Sequence, residues 1–304
     1  MFVTGKGGVG KTTIAAALAR LGATQGKRVL VCEMDAKGSL AAAYDTAPLE
    51  FEPRQLEPHL FAMSMNTEDS LREYLRLFVR IPLIGRIGPL ARTFDFVAAA
   101  APGVKEILAV GKLCHEVRER HYDLVVADAE ATGHIVAQIT APRVINDLVH
   151  VGMVRDQTAW MRDLLEDPAT TAVAVVTTPE EMPVTETTEL VERLGAETSV
   201  AVAAVVANRV LPEPFSRGEE AVFERIDATG RAPLIAAAGK GASTVLEAAR
   251  LAVTLRRTGA EHLSRLRAEL PPGIPVLYVP ELFARSGGRR SVELVAEALG
   301  EELL

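Results

Sequence analysis

The residues with the plainest chemistry stand at the start of the chain. Gly5-Lys6-Gly7-Gly8-Val9-Gly10-Lys11-Thr12 sets two glycines, with four residues between them, directly before Lys and Thr. That is the spacing of a phosphate-binding loop. Its glycines let backbone N–H groups converge on phosphate oxygens, and a helix N-terminus behind them adds positive potential. Lys11 would reach the β- and γ-phosphates, and the Thr12 hydroxyl would coordinate Mg²⁺. The flanking pattern suits this chemistry. Phe2-Val3-Thr4 reads as the end of a β-strand, and Thr13 to Gln25 reads as an alanine-rich helix closed near Gly26. So few residues precede Phe2 that the strand is expected to be unusually short, or the true start to lie upstream.

Such a loop needs acids beside it. Leu124 to Ala127 are apolar and run into Asp128, a strand ending in a carboxylate that can hold Mg²⁺. Asp128-Ala129-Glu130-Ala131-Thr132-Gly133-His134 is expected to form a mobile loop that senses the γ-phosphate. A second apolar strand, Arg28 to Glu33, leads to Asp35, whose carboxylate would orient the attacking water. The base is read from Asn208-Arg209-Val210-Leu211. A guanine reader would need an acid where Leu211 stands, whereas Asn208 offers adenine both a donor and an acceptor. ATP is therefore expected over GTP.

The elements that position these groups alternate. Further strands are expected at Leu60 to Met65, Thr171 to Thr178, Ser199 to Asn208 and Val276 to Val279. Helices are expected at about 68–80, 103–120, 183–194, 219–227, 244–270 and at the C-terminus. Continuous apolar strands alternating with helices predict an α/β fold, a doubly wound, mostly parallel sheet of the P-loop NTPase kind. With no internal repeat and no long linker, the 304 residues read as a single domain with a helical insertion at about 66–120.

Composition removes other classes. The chain is 48% hydrophobic and 24% charged, an ordinary globular balance. A net charge of −7 argues against binding nucleic acid. No run approaches the ~18 apolar residues of a membrane span. With the Gly-rich motif beginning at Gly5, no cleavable leader is expected, and the two cysteines, Cys32 and Cys114, lie far apart. A cytoplasmic location is expected. The six histidines show no paired ligand spacing, so no structural zinc site is expected.

Lys6, directly after the loop's first glycine, marks the deviant Walker A class. In that class the lysine resembles a group that crosses a dimer interface to the partner's nucleotide, where its charge would act on the transferring phosphoryl group. The chain as a whole resembles the ArsA-like ATPases, a family that includes arsenite-pump ATPases and guided-entry ATPases for tail-anchored membrane proteins. It looks closest to the short actinobacterial-type members. Gly5 to Thr13 looks like the family's loop, Asp35 its first switch, and Asp128 to His134, with Thr132 and Gly133, its second. Thr178-Pro179-Glu180-Glu181, with Glu186-Thr187, resembles a Pro-Glu segment. Asn208 resembles the adenine reader, and Val279-Pro280-Glu281-Leu282 the segment near the base. The resemblance implies an ATP-switched dimer, homodimeric or paired with a related ATPase, that closes when both sites are filled. Ala36 departs from the first switch's proline, and Ala129, Glu130 and Ala131 from Thr-Ala-Pro in the second. A carboxylate at Glu130 would repel phosphate, so slow or partner-dependent hydrolysis is expected, and a nucleotide-binding scaffold is the alternative.

Two isolated cysteines cannot build a soft-metal cage, which disfavours arsenite, and no Cys-x-x-Cys exists for a zinc-bridged dimer. In the family the helical insertion binds hydrophobic clients. Here residues 66–152 hold none of the seven methionines, although Arg76 to Arg92 combines Leu77, Phe78, Ile81 and Ile84 with arginines and no acid. That stretch reads as a client or membrane-facing surface, or as helices packed on the sheet with arginines in water. A chromosome-partitioning ATPase would need a basic face. A division-site ATPase would need a basic C-terminal helix, where Ser291 to Leu304 carries only acids among its charges.

Overall fold

Apolar strands buried on both faces assemble into one sheet in this computed structural model, which describes residues 1–66, 69, 70, 73, 104–148, 153–239, 241–283 and 287–303. The strands are β1 (Phe2–Gly5), β2 (Val29–Glu33), β3 (Arg54–Glu57), β4 (Leu60–Ser64), β5 (Leu124–Ala131), β6 (Ala172–Thr177), β7 (Ala201–Val210) and β8 (Val276–Pro280). They lie in the order β3-β4-β2-β5-β1-β6-β7-β8. All pair in parallel except the β3–β4 hairpin at one edge. The expected α/β, doubly wound sheet is therefore present, and the short first strand is central. Strand β3, half exposed and charged, gave no apolar signal and was not expected.

The helices are α1 (Lys11–Thr24), α2 (Ser39–Ala43), α3 (Val104–Arg118), α4 (Thr132–Leu148), α5 (Met153–Glu166), α6 (Glu181–Glu197), α7 (Arg217–Arg225), α8 (Arg231–Ala238), α9 (Gly241–Glu269) and α10 (Gly288–Glu302). Side chains alternate between the faces of each strand, so each strand feeds two cores. Val3, Val31, Val126 and Val176 meet α1 and α10 through Ile14, Val292, Val295 and Leu299. Phe2, Leu30, Val125 and Val175 meet the helices of the other layer through Ile107, Ile139, Leu194 and Leu266. Alanines 15, 16, 17 and 19 are all fully buried in α1, and their small side chains admit this helix closely between sheet and α10.

One expectation changes here. Residues 128–134 are regular structure, not a loop: Asp128 to Ala131 complete β5, and Thr132 to His134 begin α4. The strand extends because both its edges are occupied. The Thr4 hydroxyl donates to the Glu130 carbonyl at 2.9 Å, and the Met34 N–H donates to the Asp128 carbonyl at 3.2 Å. In the stretch expected as an insertion, α3 lies on the sheet through Ile107, Val110, Leu113 and Cys114. The arginine-rich part, Arg76 to Arg92, lies outside the described residues. A further helical excursion, α7 to α9, carries its own small core of Phe223, Leu246 and Val253.

Candidate functional site

The phosphate loop leaves the C-terminal end of β1, between β5 and β6, where open parallel sheets bind ligands. Its glycines are demanded by neighbours. A Cβ on Gly5 would stand 2.1 Å from the Val176 carbonyl oxygen, so only glycine lets the loop pass β6. Gly10 takes a left-handed φ of 94° as the residue before α1, and a Cβ there would meet the Asn208 side-chain nitrogen at 2.4 Å. That nitrogen donates to the Val9 carbonyl at 2.8 Å. Asn208 is thus buried in β7 and braces the loop, while Pro280 lies exposed at the end of the neighbouring β8.

Beneath the loop, Lys11 bends back so that its Nζ donates to the Lys6 carbonyl at 3.2 Å. Burial lowers its pKa, against the pull of Asp128 and Asp35. Asp128 is 6% exposed, and the nearby Thr12 hydroxyl favours its charged form. Burial outweighs that hydroxyl and the Lys11 charge, pushing its carboxyl up to about 6. Its Oδ1 is buried and has no hydrogen-bond partner among the described residues. A hydroxyl and a buried carboxylate with an unsatisfied oxygen are hard oxygen donors suited to Mg²⁺, while the Lys11 ammonium beside them suits phosphate oxygens, so the residues fit the ion.

Asp35 sits in the turn after β2, partly exposed and ion-paired with Lys37. Ala36 takes a φ of 48°. Proline is locked near −65°, so this turn conformation is closed to the residue that the resemblance would place there. The turn is held by Glu33, which no chemical motif had singled out. Glu33 is 2% exposed, and its carboxylate accepts from the Ser39 N–H at 2.7 Å, the Gly38 N–H at 3.2 Å and the Ser64 hydroxyl at 3.4 Å. The available signal was an acid closing an otherwise apolar, buried strand.

Lys6 is engaged within its own chain. Its ammonium pairs with Glu186 of α6, and the other oxygen of Glu186 accepts from the Thr132 hydroxyl at 3.3 Å. Loop, α4 start and α6 are therefore joined by one carboxylate. Glu130 lies 3.8 Å from the His134 imidazole one turn on, and Gly133 follows Thr132 in the first turn of α4. The structure brings Lys6, Lys11, Thr12, Asp128, Thr132 and Asn208 around the loop, with Asp35 on the adjoining turn. Cys32 and Cys114 are buried free thiols, and burial pushes Cys114 up to about 12. Among the described residues no group of His, Cys, Asp and Glu is placed to hold a metal by itself, and no helix is long and apolar enough to cross a membrane.

This fold and loop define a P-loop α/β protein, and comparison supplies the family. The model of the anion-transporting ATPases matches residues 1–156 and 150–228. The chain belongs to that ArsA-type ATPase family. Among similar proteins, ATPase BagA of Mycobacterium tuberculosis is 33% identical over 298 residues, spanning 92% of this chain and 85% of the relative. An ATPase ASNA1 homolog of Entamoeba dispar is 26% identical over 256 residues, 70% of this chain and 76% of the relative.

Proposed function

We propose that this protein is a Mg²⁺-dependent ATPase whose dimer closes around ATP and is reset by hydrolysis. The observation that carries the reading is the unsatisfied, buried Oδ1 of Asp128, set beside the Thr12 hydroxyl and Lys11 under a glycine loop. Thr12 and Asp128 would hold Mg²⁺, which when bound supplies charge neutralisation at the phosphates. Gly5, Gly7, Gly8, Val9 and Gly10 cradle the phosphates through their backbone, with Thr13 behind them in α1. Lys11 turns from the Lys6 carbonyl toward the β- and γ-phosphates. Asp35 orients water, and Asp128 with Thr132, Gly133 and His134 relays nucleotide state into α4. Asn208 holds the loop from the side where Pro280 and the adenine would lie.

Lys6 acts across the dimer once it leaves Glu186. The partner is a second copy or a related ATPase in the cytoplasm, and the family resemblance supports a hydrophobic protein client. Sulfur chemistry does not support arsenite as the cargo, since both thiols are buried. The alternative, a nucleotide-binding scaffold with weak turnover, draws support from Lys6 being held in its own chain and from Glu130 near the phosphate end.

The deciding experiment is steady-state ATP hydrolysis, with and without Mg²⁺, across a protein concentration series. Turnover that needs Mg²⁺, rises more than linearly with protein and drops about 10²–10³-fold in Lys11→Ala supports the switch. Tight ATP binding with no turnover at any concentration would replace it with the scaffold.

A further inference from the structure

We propose that Lys37 is a further phosphate-contacting residue, a cation that leaves Asp35 for the γ-phosphate when a nucleoside triphosphate enters the loop. The proposal rests on the ATP-binding reading of the site. In the free chain the Lys37 ammonium pairs with Asp35, the group assigned to the attacking water. The pair is open to solvent, with the Lys37 side chain 70% and the Asp35 side chain 38% exposed. Such a contact is weakly held. Spanning one intervening residue, it fastens no element to another; it occupies a working carboxylate. What the fold enforces is position. Ala36 and Gly38, on either side of Lys37, both take left-handed conformations, with φ of 48° and 77°. Directly beyond, the buried Glu33 carboxylate accepts from the N–H groups of Gly38, Ser39 and Leu40 at 3.2, 2.7 and 3.4 Å. The backbone beside Lys37 is thus fixed to the end of β2 while its side chain stands in solvent.

Electrostatics connect Lys37 to the phosphate end. Burial does most to lower the Lys11 pKa, and the Lys37 charge lowers it further, against Asp128 and Asp35. Two ammonium groups that repel one another at the mouth of a phosphate loop are relieved by an anion lying between them. Lys37 is held charged first by its hydrogen bond to Asp35, with Glu130 and Glu33 adding to the pull. The same cation therefore offsets the Glu130 carboxylate, which by itself would repel phosphate. Lys6 is engaged with Glu186 of α6, the helix after β6, whereas Lys37 enters from the turn after β2. A terminal phosphate carries about two negative charges and three acceptor oxygens, against a single charge on Asp35, so it wins the lysine. A diphosphate puts no such charge there. Transfer of Lys37 frees Asp35 to orient water. In the step that follows, the water oxygen bonds to the γ-phosphorus as the bond to the β,γ-bridging oxygen breaks. That electron pair leaves on ADP, and a water proton passes to a phosphate oxygen. Lys37 stays protonated throughout and stabilises charge on the γ-oxygens.

The test is calorimetric titration of the full chain with ADP and with the slowly hydrolysed analogue AMP-PNP, both with Mg²⁺, for wild type, Lys37→Ala and Lys37→Arg. Lys37→Ala should weaken AMP-PNP about fivefold or more and ADP by under about twofold. Lys37→Arg should recover most of the loss. Single-turnover ATP hydrolysis at saturating protein should fall about 10²-fold in Lys37→Ala. Thermal melts check folding, and if Lys37→Ala melts early, Lys37→Gln, which keeps most of the stem, takes its place. Equal weakening of the two nucleotides, an unchanged analogue affinity or an undiminished rate overturns the proposal. Failure of the wider reading looks different. A wild type that binds AMP-PNP yet never hydrolyses ATP removes the ATPase, while the two affinities still decide Lys37. A wild type that binds neither nucleotide overturns both.

Discussion

Asp128 couples proton, metal and fold at a single carboxyl. Burial holds its pKa at about 6, above the ordinary carboxylate value of 3.8. Between those values the native chain keeps a proton that the unfolded chain has released. Stability of the metal-free protein therefore falls as pH rises from about 4 to about 6, then levels. Urea unfolding in chelator at the two ends of that window should show a loss on the order of 1–3 kcal/mol. Asp128→Asn, which carries no charge, should flatten the slope. Glu33 illustrates a different residue economy: three N–H donors and one hydroxyl around a buried carboxylate tie the Asp35 turn to β2 and β4. Its role was not legible from type and spacing, because an acid at a strand end is common and only its partners distinguish it.

At the level of elements, two ion-pair systems fasten helices to their neighbours. Lys112 of α3 is almost fully buried and donates to Glu73 at 2.8 Å and to Glu116 at 2.9 Å. Burial opposes the charge on both Lys112 and Glu116, yet their hydrogen bonds win, so the lysine pKa is raised and the Glu116 pKa lowered. Lys112→Met would leave Glu73 and Glu116 facing each other with only the His121 imidazole, 2.8 Å from Glu116, beside them. It should cost about 3–5 kcal/mol in chemical denaturation. The second system joins Lys6 to α6 through Glu186, with both side chains about one-third exposed. Such a pair is worth under about 1 kcal/mol. Glu186→Gln should therefore lower the protein concentration needed for ATP-driven dimerisation about two- to fivefold, read by light scattering. Lys6→Ala in the same background should remove dimer-dependent turnover. If Glu186→Gln instead blocked dimerisation, Glu186 would be a positioning group for Lys6 rather than a resting latch.

For the whole molecule, the sheet order sets where everything acts. Placing β1 between β5 and β6 brings Asp128, Gly5 and the β6 carbonyls to one end, while β7 lends Asn208 from two strands away. ATP with Mg²⁺ should convert the monomer to twice its mass in size exclusion with light scattering, and ADP should not; an unchanged mass at every concentration would remove the closed dimer. The sequence by itself determined the loop, the alternation of buried strands with helices and the strand acid at Asp128, because backbone chemistry and apolar periodicity are local and repeat along the chain. Tertiary structure alone decided that residues 128–134 are strand and helix, since β5 is extended by bonds from Thr4 and Met34, which lie far away in sequence. It also decided that Asn208 braces the loop and that Glu186 holds Lys6 across 180 residues. Each of those depends on which elements become neighbours in the sheet and its helical layers, and no periodicity within a segment encodes its partner.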